Sequence, residues 1–380
     1  MRTAIVCGAG VVFGKETIAL ELGEGLRASG VDVNFVTSLW GDGAFRKQVH
    51  ALGFPVHSMR LGFISATLTF DCMRMTADQM WRWPGLLVDY RRLLRSETPR
   101  RVIHTNWHHL LLLLPFLKPE RDLFWLHEMV PDKPQYRRVF GWLSRRLGCF
   151  VPVSQAVAGS LRSIGVAPEK IRVIHNGYKD PVAVGAGRKA RKGNTIRIGI
   201  AGQMTAGKGH QDLFDAFALI AHKHPAAELN VFGRGQADFE RELRARAKTL
   251  GIDRRVAWPG YVPERASLYS DVDVFVVPSR APDALPGVAV EAAFFGLPVV
   301  ASRCGGLPEI IEDGVTGFLV EPANPQQLAV RLDELLQSAE RRRSMGAAAR
   351  RRATAHFGRG RFVGDFVRLL NGDSASPTIS

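Results

Sequence analysis

The chain is poor in cysteine. Its 380 residues contain four, Cys7, Cys72, Cys149 and Cys304, far apart and without a CxxC pair, which argues against a zinc ribbon and a disulfide framework. Long apolar runs are missing too. Leu110 to Leu117 is interrupted by Pro115, whereas crossing a bilayer takes about 20 residues, so no transmembrane helix is expected. The start imitates a secretion signal, with Arg2 ahead of the apolar stretch Ala4 to Phe13, but glycines break that stretch and no small-residue cleavage site follows. It reads as a first strand and its turn, and the expected location is the cytoplasm. Negative charge is the third shortage: 36 acidic residues face 51 Lys and Arg, a formal charge of +15. Such a balance attracts polyanions, whether nucleic acid, an anionic lipid surface or phosphorylated substrates. Hydrophobic residues at 46% and charged ones at 23% are ordinary for a folded protein, which excludes disorder and fibrous repeats. Single cores stop growing near roughly 250 residues, so two domains are expected.

What is present is an alternation of short apolar runs with helix-period segments, the mark of parallel sheets with crossover helices. Ala4 to Cys7 reads as a strand, Ile18, Leu22 and Leu26 as one helical face, and Val31 to Val36 as the next strand. Strands are also expected at Arg101 to His104, Asp122 to Leu126 and Cys149 to Val153, the last feeding a helix capped by Ser154 and stopped at Gly165. From Pro181 to Asn194 the periodicity vanishes. Strands then resume at Ile196 to Ala201, Leu229 to Phe232, Val272 to Val277 and Pro298 to Ala301. The expectation is an α/β chain of two doubly wound, Rossmann-like domains, 1–180 and 195–355, joined by a linker at 181–194. A helix at 356–370 and a tail at 371–380 follow. Such sheets bind ligands beyond the carboxyl ends of their strands, so chemistry is sought in the loops after strands and in a cleft between the two domains.

Gly8-Ala9-Gly10-Val11-Val12-Phe13 nearly spells the dinucleotide fingerprint, but Phe13 replaces the third glycine and no acidic residue clearly ends the second strand. Gly202 to Gly209 follows a strand and precedes the helix His210 to Lys223. Backbone N–H groups and Lys208 there can converge on a diphosphate, or the stretch is a Gly-rich turn with a solvated lysine. Asp283 and Glu291 flank the turn Pro286-Gly287, placing two carboxylates suited to sugar hydroxyls beside free N–H groups around Leu285 to Val288. Asp271-Val272-Asp273 has a metal-binding spelling but leads straight into a strand, so no metal is expected. Of His104, His108, His109 and His127, only His127 reads as following a strand's end. The basic, partly apolar segments Arg91 to Arg95 and Arg137 to Arg146 suit a membrane surface or a solvated helix face.

Together these residues resemble the large family 4 of retaining glycosyltransferases, with the GT-B fold. The resemblance is carried by Ile198 to Gly202 with Lys208-Gly209, by Asp283 and Glu291, by Gly296 to Val300, by Gly305-Gly306-Leu307-Pro308-Glu309 and by Asp313 to Gly317. Val173 to Gly177 resembles the family's segment ahead of its interdomain linker. The resemblance implies that Lys208 binds a donor diphosphate, Glu291 the donor ribose, and Asp283 the hydroxyls of the transferred sugar. It implies further donor contacts at Gly14, Gly202, Gln203, Leu285, Gly287 and Val288, and a role for His127 beside the reacting sugar. Asp283 occupies a position where the family has glutamate, and Gln203 one where it often has an arginine. It also implies that the segment 356–370 crosses back to the first domain.

The function so implied is retaining transfer of a sugar from a UDP- or GDP-linked donor to a hydroxyl acceptor, without metal or other cofactor. Cell-surface polysaccharide or glycolipid synthesis is the expected setting. The partners expected are the nucleotide sugar, a saccharide or lipid-linked acceptor, and the anionic inner face of the cytoplasmic membrane, with nucleic acid the weaker fit. The competing readings are a sugar-nucleotide epimerase, a nicotinamide-dependent oxidoreductase, and a catalytically silent basic protein binding membrane or RNA.

Overall fold

The computed structural model describes residues 1–8, 14–62, 64, 69–182 and 194–373. Most of the expected linker and most of the near-fingerprint Gly8 to Phe13 lie outside them. The chain divides into two compact units, Met1–Gly177 with Arg359–Ser380, and Tyr178–Gly358.

Six strands of the first unit, among the described residues, pair in parallel: β1 (Arg2–Val6), β2 (Asp32–Ser38), β3 (Val56–Met59), β4 (Arg101–His104), β5 (Asp122–Leu126) and β6 (Cys149–Pro152). Their order is β3-β2-β1-β4-β5-β6. The chain thus winds outward from β1 in one direction, returns, and winds outward in the other, leaving a switch point between β1 and β4. Ala4, Ile5 and Val6 are fully buried, as expected of a central parallel strand covered on both faces. The helix Gly14–Ala28 covers it with Ile18, Ala19, Leu22 and Leu26. Ser154 caps the helix Gln155–Ser163 by accepting the Val157 N–H at 3.1 Å. The helix Arg359–Asn371 belongs to this unit, with Phe362 and Phe366 packed on Trp125 at centroid distances of 5.7 and 5.1 Å. It lies so close to the Gly14–Ala28 helix that a Cβ on Gly25 would sit 2.1 Å from Val363 Cγ2.

The second unit repeats the winding. Its six described strands, β7 (Ile196–Ala201), β8 (Ala227–Phe232), β9 (Val256–Gly260), β10 (Val274–Val277), β11 (Val299–Ser302) and β12 (Gly317–Val320), lie in the order β12-β11-β10-β7-β8-β9, all parallel. Here the switch point falls between β7 and β10. The core joins Ile198, Ile200, Val274 and Val276 of the sheet to Phe214, Phe217, Leu332 and Leu335 of the helices His210–Ile220 and Pro325–Gln337. Three strands, β3, β9 and β12, were not expected from the sequence. The strand expected from Val272 starts at Val274, because Val272 and Asp273 form the turn that leads into it.

Candidate functional site

The loops after β7 and β10 emerge side by side at the second unit's switch point, and Gly209 holds them together. Its φ is +71°, and a Cβ there would sit 1.8 Å from the Pro278 carbonyl oxygen, so no other residue fits. The Arg280 N–H donates to the Gly207 carbonyl at 2.9 Å, while the Arg280 guanidinium grips buried Asp212 through two bonds of 2.7 and 2.6 Å. This framing brings the Lys208 ammonium onto the Asp283 carboxylate, both partly exposed. Gly305 and Gly306 press on the same loop, where Cβ atoms would stand 2.2 Å from Asp283 O and 2.3 Å from Ala284 O. Gly202 and exposed Gln203 stand directly after β7.

The Asp283 loop opens the helix Gly287–Phe294. Pro286 stands at its N-cap and no side chain caps it, so N–H groups of the first turn remain for a ligand beside half-buried Gly287 and Val288 and buried Leu285. One turn in, Glu291 is 9% exposed. Its Oε2 accepts the Tyr269 hydroxyl at 2.8 Å and its Oε1 accepts from Arg265. Burial raises the Glu291 pKa above the ordinary carboxylate value, against the opposing pull of Arg265 and Tyr269. The pair Asp271 and Asp273 is used elsewhere. Asp273 takes the Arg197 N–H at 2.9 Å and gives its own N–H to the Arg197 carbonyl at 2.8 Å, while Asp271 pairs with the Arg197 guanidinium. Among the described residues no three His, Cys, Asp or Glu side chains gather as a metal ion requires.

In the first unit, His127 directly follows β5, its ring tilted by 55° against Trp125 at a centroid distance of 4.3 Å. Burial, and then the charge of Lys15, depress its pKa well below 6.5, so the ring is neutral. Its Nε2 is buried with no hydrogen-bond partner among the described residues. Gly14 begins the Gly14–Ala28 helix and is exposed. His104 closes β4, as the expected strand Arg101 to His104 has it, and is structural: its Nε2 lies 2.8 Å from Asp122 Oδ1 and both side chains are wholly buried. Burial also holds His108 at a pKa of about 4 and His109 at about 3, each lowered further by Lys15.

Residues 187–352 match the family described as glycosyl transferases group 1, and residues 13–180 match glycosyltransferase family 4. The chain belongs to this glycosyltransferase family. Among solved structures, Anabaena HepE in complex with UDP superposes with a TM-score of 0.80 over 98% of this chain and 100% of that one, at 20% identity, which establishes the GT-B fold. A D-inositol 3-phosphate glycosyltransferase of Corynebacterium kroppenstedtii is 39% identical over 40% of this chain and 35% of its own length. The spore coat protein SA of Bacillus subtilis is 31% identical over 50% of this chain and 56% of its own. The chain thus spans about a third to a half of the length of these curated relatives.

Within this glycosyltransferase family member, the second unit brings Gly202, Gln203, Lys208, Asp283, Leu285, Gly287, Val288 and Glu291 to the loops at one switch point and the helix it opens. Gly14 and His127 belong to the first unit. Sequence reasoning missed Arg265 and Tyr269. Their i,i+4 spacing in the helix Arg265–Ser270 was the available signal, since it sets both on one face.

Proposed function

We propose that the protein is a retaining glycosyltransferase that needs no metal and moves a sugar from a UDP- or GDP-linked donor to a hydroxyl of a saccharide or lipid-linked acceptor. The reading is supported above all by one juxtaposition: Lys208, from the loop after β7, pairs with Asp283 in the loop that leads into an uncapped helix N-terminus, with Glu291 one turn in. That set supplies a cation and N–H donors for a diphosphate, and carboxylates for hydroxyls. UDP is the first nucleotide to test, because HepE carries it.

In the proposed reaction the acceptor oxygen bonds to the anomeric carbon on the face from which the diphosphate oxygen leaves. The acceptor's proton passes to the departing diphosphate. Lys208 and the N–H groups near Gly287 stabilise the charge that builds there, a role worth about 3–4 kcal/mol per donor in other enzymes. Asp283 accepts from hydroxyls of the transferred sugar, and neutral His127 hydrogen-bonds the reacting sugar or the acceptor.

The test is the melting shift with saturating UDP, GDP, ADP or NAD, with Glu291→Ala as control. Ligand at about 100 times its Kd stabilises by about 2.7 kcal/mol. One nucleoside diphosphate should raise the melting temperature and lose its effect in the variant. No shift with any diphosphate would favour the silent binding protein, and a shift with NAD alone the oxidoreductase. The anomeric configuration of the product, read by NMR, tests retention; turnover abolished by EDTA and restored by Mn²⁺ would defeat the metal-free mechanism.

Association with the inner face of the cytoplasmic membrane is part of the proposal, and one surface favours it. The helices Phe70–Trp81 and Trp83–Ser96 expose Phe70, Met73, Met80, Trp81 and Val88, with Trp81 85% exposed. Arg91, Arg92 and Arg95 line a shallow groove beside Val88. Exposed aromatic and apolar side chains on a helix pair that also carries arginines match an anionic lipid interface.

A further inference from the structure

Each carboxylate of the second unit's site is held by a cation from another segment: Asp283 by Lys208, and Glu291 by Arg265. Arg265 follows β9 and opens the helix Arg265–Ser270, with Tyr269 one turn later, so the two reach Glu291 from one helix face. Tyr269 is 1% exposed and clamped against Phe295 at a centroid distance of 5.3 Å, which fixes its hydroxyl on Oε2. Arg265 instead keeps more than half of its side chain in solvent while bonding Oε1. A carboxylate offers about four lone-pair sites. With one site on each oxygen taken, one on each remains, the arrangement a pair of neighbouring hydroxyls requires.

We infer that Arg265 is a positioning residue of the donor site, keeping Glu291 ionised and turned so that each oxygen has a free lone pair for the ribose diol. It thereby gives a second positive charge to a site that has neutral Gln203 after β7. The inference rests on the nucleotide reading above. Groups around Glu291 support it. Tyr178 approaches from the unit's first residues, its hydroxyl 2.9 Å from where a Cβ of Gly287 would lie. Arg350, on the helix Ala339–Phe357 packed against this one, is taken up by Asp180 and the Phe294 carbonyl. The short helix Leu307–Ile310 brings Glu309, and β10 and β11 carry no ionisable side chain. Among the described residues Arg265 is the cation bonded to Glu291. Without it, burial raises the Glu291 pKa unopposed by any positive charge. The acceptor capacity is then present above that raised pKa and lost as pH falls through it.

The experiment is calorimetric titration of UDP and of GDP into the full chain at about pH 8 and pH 6. The ligand's own titration is common to all variants. For Arg265→Gln the Kd should rise between the two pH values about tenfold more than in the wild type. Arg265→Lys should restore the wild-type pH dependence with weaker binding. Equal Kd values and pH profiles in wild type and Arg265→Gln would overturn the assignment and leave the nucleotide reading standing. If the wild type binds neither UDP nor GDP, the nucleotide reading fails and the assignment with it. Should Arg265→Gln not fold, Arg265→Lys decides, since a Kd that rises about tenfold more between the two pH values than in the wild type, despite the retained charge, would contradict a charge-holding role.

Discussion

Lys208 and Asp283 satisfy one another, so on the proposed reading a diphosphate has to draw the lysine away from the aspartate. The exchange is cheap, because an ion pair with both partners more than a third exposed contributes at most about 1 kcal/mol. In the proposed reaction the return comes when charge develops on the leaving diphosphate. Lys208→Ala is therefore expected to lower kcat/KM by about 10²–10³ in steady-state transfer assays, and a loss of less than about threefold would remove Lys208 from the chemistry. Gln203 gives the opposite test. It is exposed directly after β7, so Gln203→Arg adds a cation with room to reach the same diphosphate. Titration should show UDP binding about fivefold tighter, roughly 1 kcal/mol for a solvent-accessible charged contact. These positions were legible in the sequence because each lies in a loop where glycine or proline directly follows a strand, Gly202 after β7 and Pro278 after β10. Arg265 was not: Pro263-Glu264-Arg265 has the polar spelling of any solvated helix start, and its role depends on a partner 26 residues away. His104 shows the same limit from the other side. Nothing local distinguishes a strand-terminal histidine facing solvent from one bonded to a buried Asp122.

At the scale of elements, the site is as precise as the contact between the loops after β7 and β10. Gly209→Ala places a methyl inside the Pro278 carbonyl and forces φ of +71° on a residue that resists it. The expected loss is about 2–4 kcal/mol, or about 5–15 °C in the calorimetric transition of a unit this size. Gly207→Ala is the matched control, because its Cβ would meet only Ala281 Cβ at 3.8 Å. If the two variants melt alike, the loop contact is not what holds the site. The central strands were readable as apolar runs because parallel strands are covered on both faces. All three strands that escaped notice are sheet edges: β3, β9 and β12. β9 contains Pro259 and alternates exposed residues with ones that, after buried Val256, are only half-buried, and β3 is mostly half-buried. An edge strand bonds a neighbour on one side alone, so little in its sequence demands the run that identifies a central strand.

Across the whole molecule, an excess of 15 positive charges sets a long-range attraction to anionic surfaces but not the point of contact. No helix among the described residues is long and apolar enough to cross a membrane. The proposed attachment is peripheral, and its location follows from where apolar and cationic side chains are exposed. The helices Phe70–Trp81 and Trp83–Ser96 carry both: Phe70, Met73, Met80, Trp81 and Val88 lie in solvent, and Arg91, Arg92 and Arg95 line a groove with Val88. The two components respond differently to salt, which makes them separable. Arginines near an anionic surface contribute about 1 kcal/mol each and are screened within about 3 Å at 1 M salt, whereas insertion of Trp81 and Phe70 depends on apolar area. Sedimentation with vesicles of phosphatidylcholine and phosphatidylglycerol should show binding at low salt. Replacing the three arginines by glutamine should weaken it about a hundredfold and flatten its salt dependence. Trp81→Ser with Phe70→Ser should weaken binding at every salt concentration and leave the slope unchanged. If the arginine variant keeps the wild-type slope, the attraction comes from the diffuse charge of the chain and this face has no privileged role in it.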